Sequence, residues 1–169
     1  MQLHDPLRVA DNHSGSGGIP SPLERHRASS GPVWVPLIYI STHDYGRLET
    51  LVHTQLAASH PVARFLKTEL ERAVVRPERD LPSDYVRMNR RVLFRVDHAD
   101  RMESRFLVYP QQYHTTGQYL SILCPLGVAL LGLREGNGMP FRDLSGAGRR
   151  VTVEKVVCDD AKGHSGDGK

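Results

Sequence analysis

The chain has 169 residues, 39% of them hydrophobic, a formal net charge of +3 and two cysteines, Cys124 and Cys158. Two cysteines exclude a disulfide scaffold, and no apolar run approaches the ~18 residues of a membrane span. The weak positive charge is compatible with an acidic protein surface or nucleic acid as partner and is too small to establish either.

Residues 1–32 are rich in Gly, Ser, Pro and His and carry no hydrophobic period. They read as a disordered arm that cannot bury enough apolar surface to offset its ordering entropy. The arm lacks a basic start followed by an apolar core, so it is not a secretory signal. With both cysteines in apolar sequence surroundings, reduced and buried thiols of a cytoplasmic protein are expected. Residues 33–77 form the next unit. Residues 33–40 are a short extended lead-in interrupted by Pro36. Ser41 or Thr42 can cap a helix with Asp44 near its positive end, and Tyr45, Leu48, Leu51, Val52 and Leu56 make one apolar stripe. Gly46 weakens that helix. Ser59 or His60 can cap a second helix with Pro61 in its first turn and Val62, Phe65, Leu66, Leu70 and Ala73 along its stripe, until Pro77 stops it. Two helices of about 15 residues, each about 22 Å long at 1.5 Å per residue, predict an antiparallel hairpin, a short coiled coil.

After a proline-bearing linker the pattern changes to alternation, marking a second unit over residues 84–160. Val92, Phe94 and Val96 share one face of a strand while Arg91 and Arg95 share the other. Strands follow over residues 104–109 and 118–123, a short helix over 125–131 closed by Gly132, a weak edge strand over 139–142 containing Pro140, and a last strand over 150–157. Residues 161–169 read as a disordered tail. The fold class is α+β: a helical hairpin followed by a small antiparallel sheet with one short helix. No internal repeat is present.

The densest pattern is SILCPLGVALLGLREGNG at residues 121–138. With DYVRMNRRVLFRV and FLVYP before it, this run resembles the Gre transcription elongation factors, and in particular their short branch, the regulators of nucleoside diphosphate kinase. Ser121, Pro125, Gly127, Ala129, Leu130, Leu131 and Gly132 match the Ser-x-x-x-Pro-x-Gly-x-Ala-Leu-Leu-Gly signature, and the resemblance covers about residues 34–158. Gly136-Asn137 departs from the family's Gly-Asp. The resemblance implies an FKBP-like C-terminal domain that docks on RNA polymerase near its secondary channel, with a hairpin projecting from it. It places the docking surface at Ser121, Cys124, Pro125, Leu126, Gly127 and Leu130, and the hairpin tip at Gln55, Ser59, His60 and Arg64.

In Gre factors, tip carboxylates help to hold a catalytic Mg²⁺, a hard cation that prefers oxygen ligands. This tip, HTQLAASHPVARF, has no Asp or Glu, so polymerase binding without stimulated transcript cleavage is expected. No cofactor, metal or small-molecule substrate is indicated. The nine histidines show no zinc spacing and read as scattered surface residues. GSGG near Gly15 lacks the Lys-Ser/Thr of a phosphate loop. No serine sits on a strand-to-helix elbow that would mark a nucleophile. Arg91, Arg95 and Arg105 form a basic face, either a plain solvated surface or an attraction for polymerase or for nucleic acid within the transcription complex. The expected function is therefore a non-enzymatic transcription regulator that competes with Gre factors and affects nucleoside diphosphate kinase indirectly. Two other classes stay open: an FKBP-like peptidyl-prolyl isomerase and a direct partner of a nucleotide kinase.

Overall fold

The computed structural model describes residues 35–97 and 99–160, the last three as backbone only. The expected arm, the tail and the side chain of Cys158 lie outside that range.

Strand β1 (Tyr39–Ser41) runs directly into helix α1 (Thr42–Thr50). Ser41 is the cap: its hydroxyl accepts from the Asp44 amide at 3.0 Å. Gly46, exposed within this helix, costs about 1 kcal/mol relative to Ala. A Cβ there would meet nothing within 4 Å, so no packing demand explains the glycine. The hydroxyls of Thr50 and Thr54 then donate back to the carbonyls of Gly46 and Thr50, at 2.8 and 2.7 Å. Such back-bonding loosens a helix, and the next turn widens into a π turn over Leu51–Gln55.

Helix α2 (Ala63–Arg72) has ten residues rather than about 15. It starts two residues after Pro61, and His60 accepts from the Val62 amide through Nδ1 at 3.3 Å and from the Ala63 amide through its carbonyl at 3.0 Å. It also ends before Pro77. Val74–Arg76 form strand β2, which pairs in parallel with β1. Two β-branched valines prefer extended backbone, and the residue before a proline is steered the same way. Helix α1 runs on through its π turn to Gln55, close to the expected length, while α2 has ten residues; neither holds the roughly three or four heptads of a coiled coil.

The second sheet comprises β3 (Arg90–Val96), β4 (Glu103–Val108), β5 (Tyr119–Ser121), β6 (Gly138–Arg142) and β7 (Gly148–Asp160), in the order β5-β4-β3-β7-β6. It is mixed rather than antiparallel, because β5 runs parallel to β4. The stretch between them, through a 3₁₀ turn at Pro110–Gln112, carries the chain back along β4 before it pairs. The proline of β6 lies on the sheet's edge, where its missing donor is harmless. Helix α3 (Pro125–Leu130) packs on the inner sheet face.

Both helices share this core. Leu48 of α1, Leu66 of α2, Phe94 of β3, Leu107 of β4 and Leu130 of α3 are all fully buried in one cluster. The resemblance implied a projecting hairpin; here the apolar stripes turn onto α3 and the sheet instead of only onto each other. Backbone bonds tie the parts together: Tyr39 N–H to Gly132 C=O at 3.0 Å, Gly132 N–H to Val86 C=O at 3.0 Å, and Val86 N–H to Leu133 C=O at 2.8 Å.

Candidate functional site

The run from Ser121 to Gly132 is a tightly bonded strand-to-helix turn. The Ser121 hydroxyl accepts from the Leu123 amide at 3.1 Å. Cys124 is the cap of α3: its Sγ donates to the Ser121 carbonyl at 3.1 Å and accepts from the Gly127 amide at 3.3 Å. Burial pushes this thiol above its ordinary pKa, so it is poorly suited to nucleophilic chemistry. Pro125 occupies the first helical turn, where its missing N–H is not needed.

Gly127 is required by space, since a Cβ would collide with the Ser121 carbonyl oxygen. Gly132 has φ +68, and a Cβ on it would come within 2.8 Å of the Tyr39 carbonyl. The surface of this turn is narrower than the six expected docking residues. Pro125 and Gly127 are buried and Leu130 has no exposure at all; only Ser121, Cys124 and Leu126 are half-exposed. Leu130 helps to fill the core and has no surface of its own.

Beside the turn lies an apolar groove of about 460 Å³ that sequence reasoning did not find. Pro61 and Phe65 come from the hairpin, Pro125 from α3, Phe141 from β6 and Leu144 from the β6–β7 connection. Leu144 is 73% exposed. An apolar residue inside a turn otherwise built from Asp143, Ser145 and Gly146 is the faint signal that could have marked it. Asp143 holds the turn: the Ser145 hydroxyl and then Arg149 keep its carboxyl down at about 2. The groove has two aromatic rings among its lining residues, a sparse setting for prolyl-isomerase chemistry.

The four expected tip residues diverge. Ser59 and Arg64 are exposed beside Pro61, and His60 is half-buried. Gln55 belongs to the opposite side, where its Oε1 accepts from Gln111 Nε2 at 3.4 Å. The segment between α1 and α2 lies next to the α3 turn, because Pro61 and Phe65 share the groove with Pro125.

The basic face is not one face. Val92 pairs with Arg105 across β3 and β4, so Arg105 projects on the core side of the sheet, opposite to Arg91 and Arg95. There it pairs with Glu103 at 2.7 Å, and its charge is felt by Cys124. Arg95 pairs with Glu154 at 3.0 Å, and Arg91 lies over the Phe106 ring at 4.5 Å. Alternation within β3 predicted the placement of Arg91 and Arg95; the face of Arg105 depends on the β3–β4 register, which a sequence does not print. Among the described residues no cluster of three His, Cys, Asp or Glu is placed to hold a metal ion, and no helix is long and apolar enough to cross a membrane.

Residues 36–75 match the Rnk N-terminus family, and residues 81–157 match the C-terminal family of the transcription elongation factors GreA/GreB. The chain is 35% identical over 118 residues to the regulator of nucleoside diphosphate kinase of Escherichia coli K12, covering 70% of this chain and 87% of the relative. The protein of that name from Shigella flexneri gives the same values. Among solved structures, the prokaryotic transcription elongation factor GreA/GreB from Nitrosomonas europaea superposes with a TM-score of 0.59 at 38% identity, over 73% of this chain and 99% of that one. The names of these relatives describe regulators and elongation factors rather than enzymes.

Proposed function

Because the chain belongs to the regulator of nucleoside diphosphate kinase family, an Rnk N-terminus joined to a GreA/GreB C-terminal domain, we propose that it regulates transcription by binding RNA polymerase near the secondary channel without stimulating transcript cleavage. The observation that carries this reading is the hairpin tip. The stretch from the end of the π turn at Gln55 to the start of α2 at Ala63 contains no carboxylate, and both helices are short. A tip without carboxylates lacks the anionic oxygens by which a protein usually holds Mg²⁺.

Docking would use the half-exposed Leu126, Cys124 and Ser121 together with the neighbouring groove of Phe65, Phe141 and Leu144. Contiguous apolar surface of this kind is suited to a protein partner. Occupancy of the rim would exclude a Gre factor, since one rim accepts one such domain. The effect on nucleoside diphosphate kinase then follows indirectly, through expression. Ion pairing of Arg95 and Arg105 leaves little free charge for nucleic acid, so any contact with it is secondary.

Purified protein should bind core RNA polymerase, displace a Gre factor from it, and leave the rate of transcript cleavage at the level of polymerase alone. Leu126→Asp should abolish the displacement. A rise in cleavage, or no binding at micromolar protein, overturns the proposal.

A further inference from the structure

A second groove, of about 680 Å³, lies on the other side of α1 from the core. Its walls are the exposed side of α1 with the π turn, and the 109–112 segment that follows β4. Nothing in the docking argument uses it.

Four features of this groove point the same way. Gly46 lines it, and neither a turn nor a close approach requires a glycine there, so the missing side chain serves to keep the groove open. His43 and Arg47 stand four residues apart on the same side of α1, and the Arg47 guanidinium lies 3.8 Å above the Tyr109 ring, which fixes a cation at the wall. The carboxylates nearby are already engaged. Asp44 accepts from the Tyr109 hydroxyl at 2.7 Å, and Glu78 pairs with Arg87 at 2.7 Å. At the other end, Gln55, Gln111 and Gln112 gather three amides. The Gln55–Gln111 bond is long at 3.4 Å, and the buried Oε1 of Gln112 has no donor among the described residues. An acceptor left without a donor is uncommon, and a turn of the Gln112 side chain, which lines the groove, would present it there.

We propose that this groove binds a mononucleotide, with its phosphate on Arg47 and His43 and the amino edge of its base on the glutamine amides. Arg47 and Gln55 are eight residues apart, on the order of 10 Å along α1 and its wider π turn, enough room for a nucleotide laid from phosphate to base edge. Inorganic phosphate would satisfy Arg47 and His43 and leave the amides idle; a nucleoside would do the reverse. Ligand binding here is independent of the polymerase reading.

The test is calorimetric titration of the full chain with ADP, adenosine and inorganic phosphate, for the wild type, Arg47→Ala and Gly46→Leu. ADP should bind at least about tenfold more tightly than either fragment. Arg47→Ala should weaken ADP by about tenfold or more. Gly46→Leu should abolish binding while the melting temperature holds or rises, because Leu is the better helix former and a Cβ at position 46 meets nothing within 4 Å. ADP binding no tighter than phosphate, wild-type affinity in Gly46→Leu, or no heat with millimolar ADP would each overturn the assignment.

Discussion

The α3 turn and the hairpin tip lie side by side, yet their residues carry opposite burdens. In the turn nearly every side chain has a structural duty: Gly127 and Gly132 permit close backbone approach, Cys124 caps, and Leu130 fills the core. At the tip, Ser59 and Arg64 are exposed, and the bonds of their neighbour His60, to Ala57, Val62 and Ala63, are all local. The contrast teaches that the strength of a sequence pattern measures how tightly the fold constrains it, not how much of it a partner can touch. The signature at residues 121–132 identifies the family through positions that are mostly inaccessible, whereas the surfaces available for binding carry almost no pattern.

That contrast can be broken or sharpened by substitution. The largest effect should come from Gly127→Ala, where the new methyl collides with the Ser121 backbone; a loss of about 3 kcal/mol or more is expected by urea denaturation. A loss below about 1 kcal/mol would mean that the turn opens without resistance. Leu130→Ala should cost about 2–5 kcal/mol as a core cavity. It should weaken polymerase binding only in proportion to the unfolded fraction.

Asp44→Asn tests a buried carboxyl in the first turn of α1, outside both regions. Burial, opposed chiefly by the Tyr109 hydroxyl, pushes the Asp44 pKa above its ordinary value. A group raised in the folded state contributes stability that is present below its unfolded pKa of about 4 and is lost as pH rises through the folded pKa. The asparagine variant keeps an acceptor for Tyr109 and has no such loss. Its stability relative to wild type should therefore increase as pH rises from about 4 toward neutrality, measured by denaturation across pH. A relative decrease over that range would show that the charged form is the favoured one. Leu144→Ser should produce the smallest effect on stability, within about 0.5 kcal/mol, because the residue is mostly exposed. The same variant should lose polymerase affinity measurably; unchanged affinity would remove the groove from the docking surface.

The elements governed by local rules were legible in the sequence. Ser41 as a cap, the alternation of β3, and the Pro125-to-Gly132 helix with its glycine stop follow from propensity and period alone. What the sequence concealed depends on distant pairing. Val74 and Val75 read as the end of a helix until β1 offers them a parallel partner. Arg105 reads as surface until its register with Val92 puts it on the inner side. Leu144 and Phe65 are separated by nearly half of the chain, and no period links them across the groove. Gln55 reads as a tip residue, and its bond to Gln111 in the 109–112 segment is a distant pairing that no local rule announces.

The short bonds joining Tyr39, Gly132 and Val86 have a mechanical meaning. They leave the helical part without a hinge at its base, and the buried contacts of Leu48 and Leu66 brace it from the side. A load taken by residues 56–62 is passed through stiff backbone into the segment that follows α3, so the two act as one lever rather than as a rod on a flexible joint.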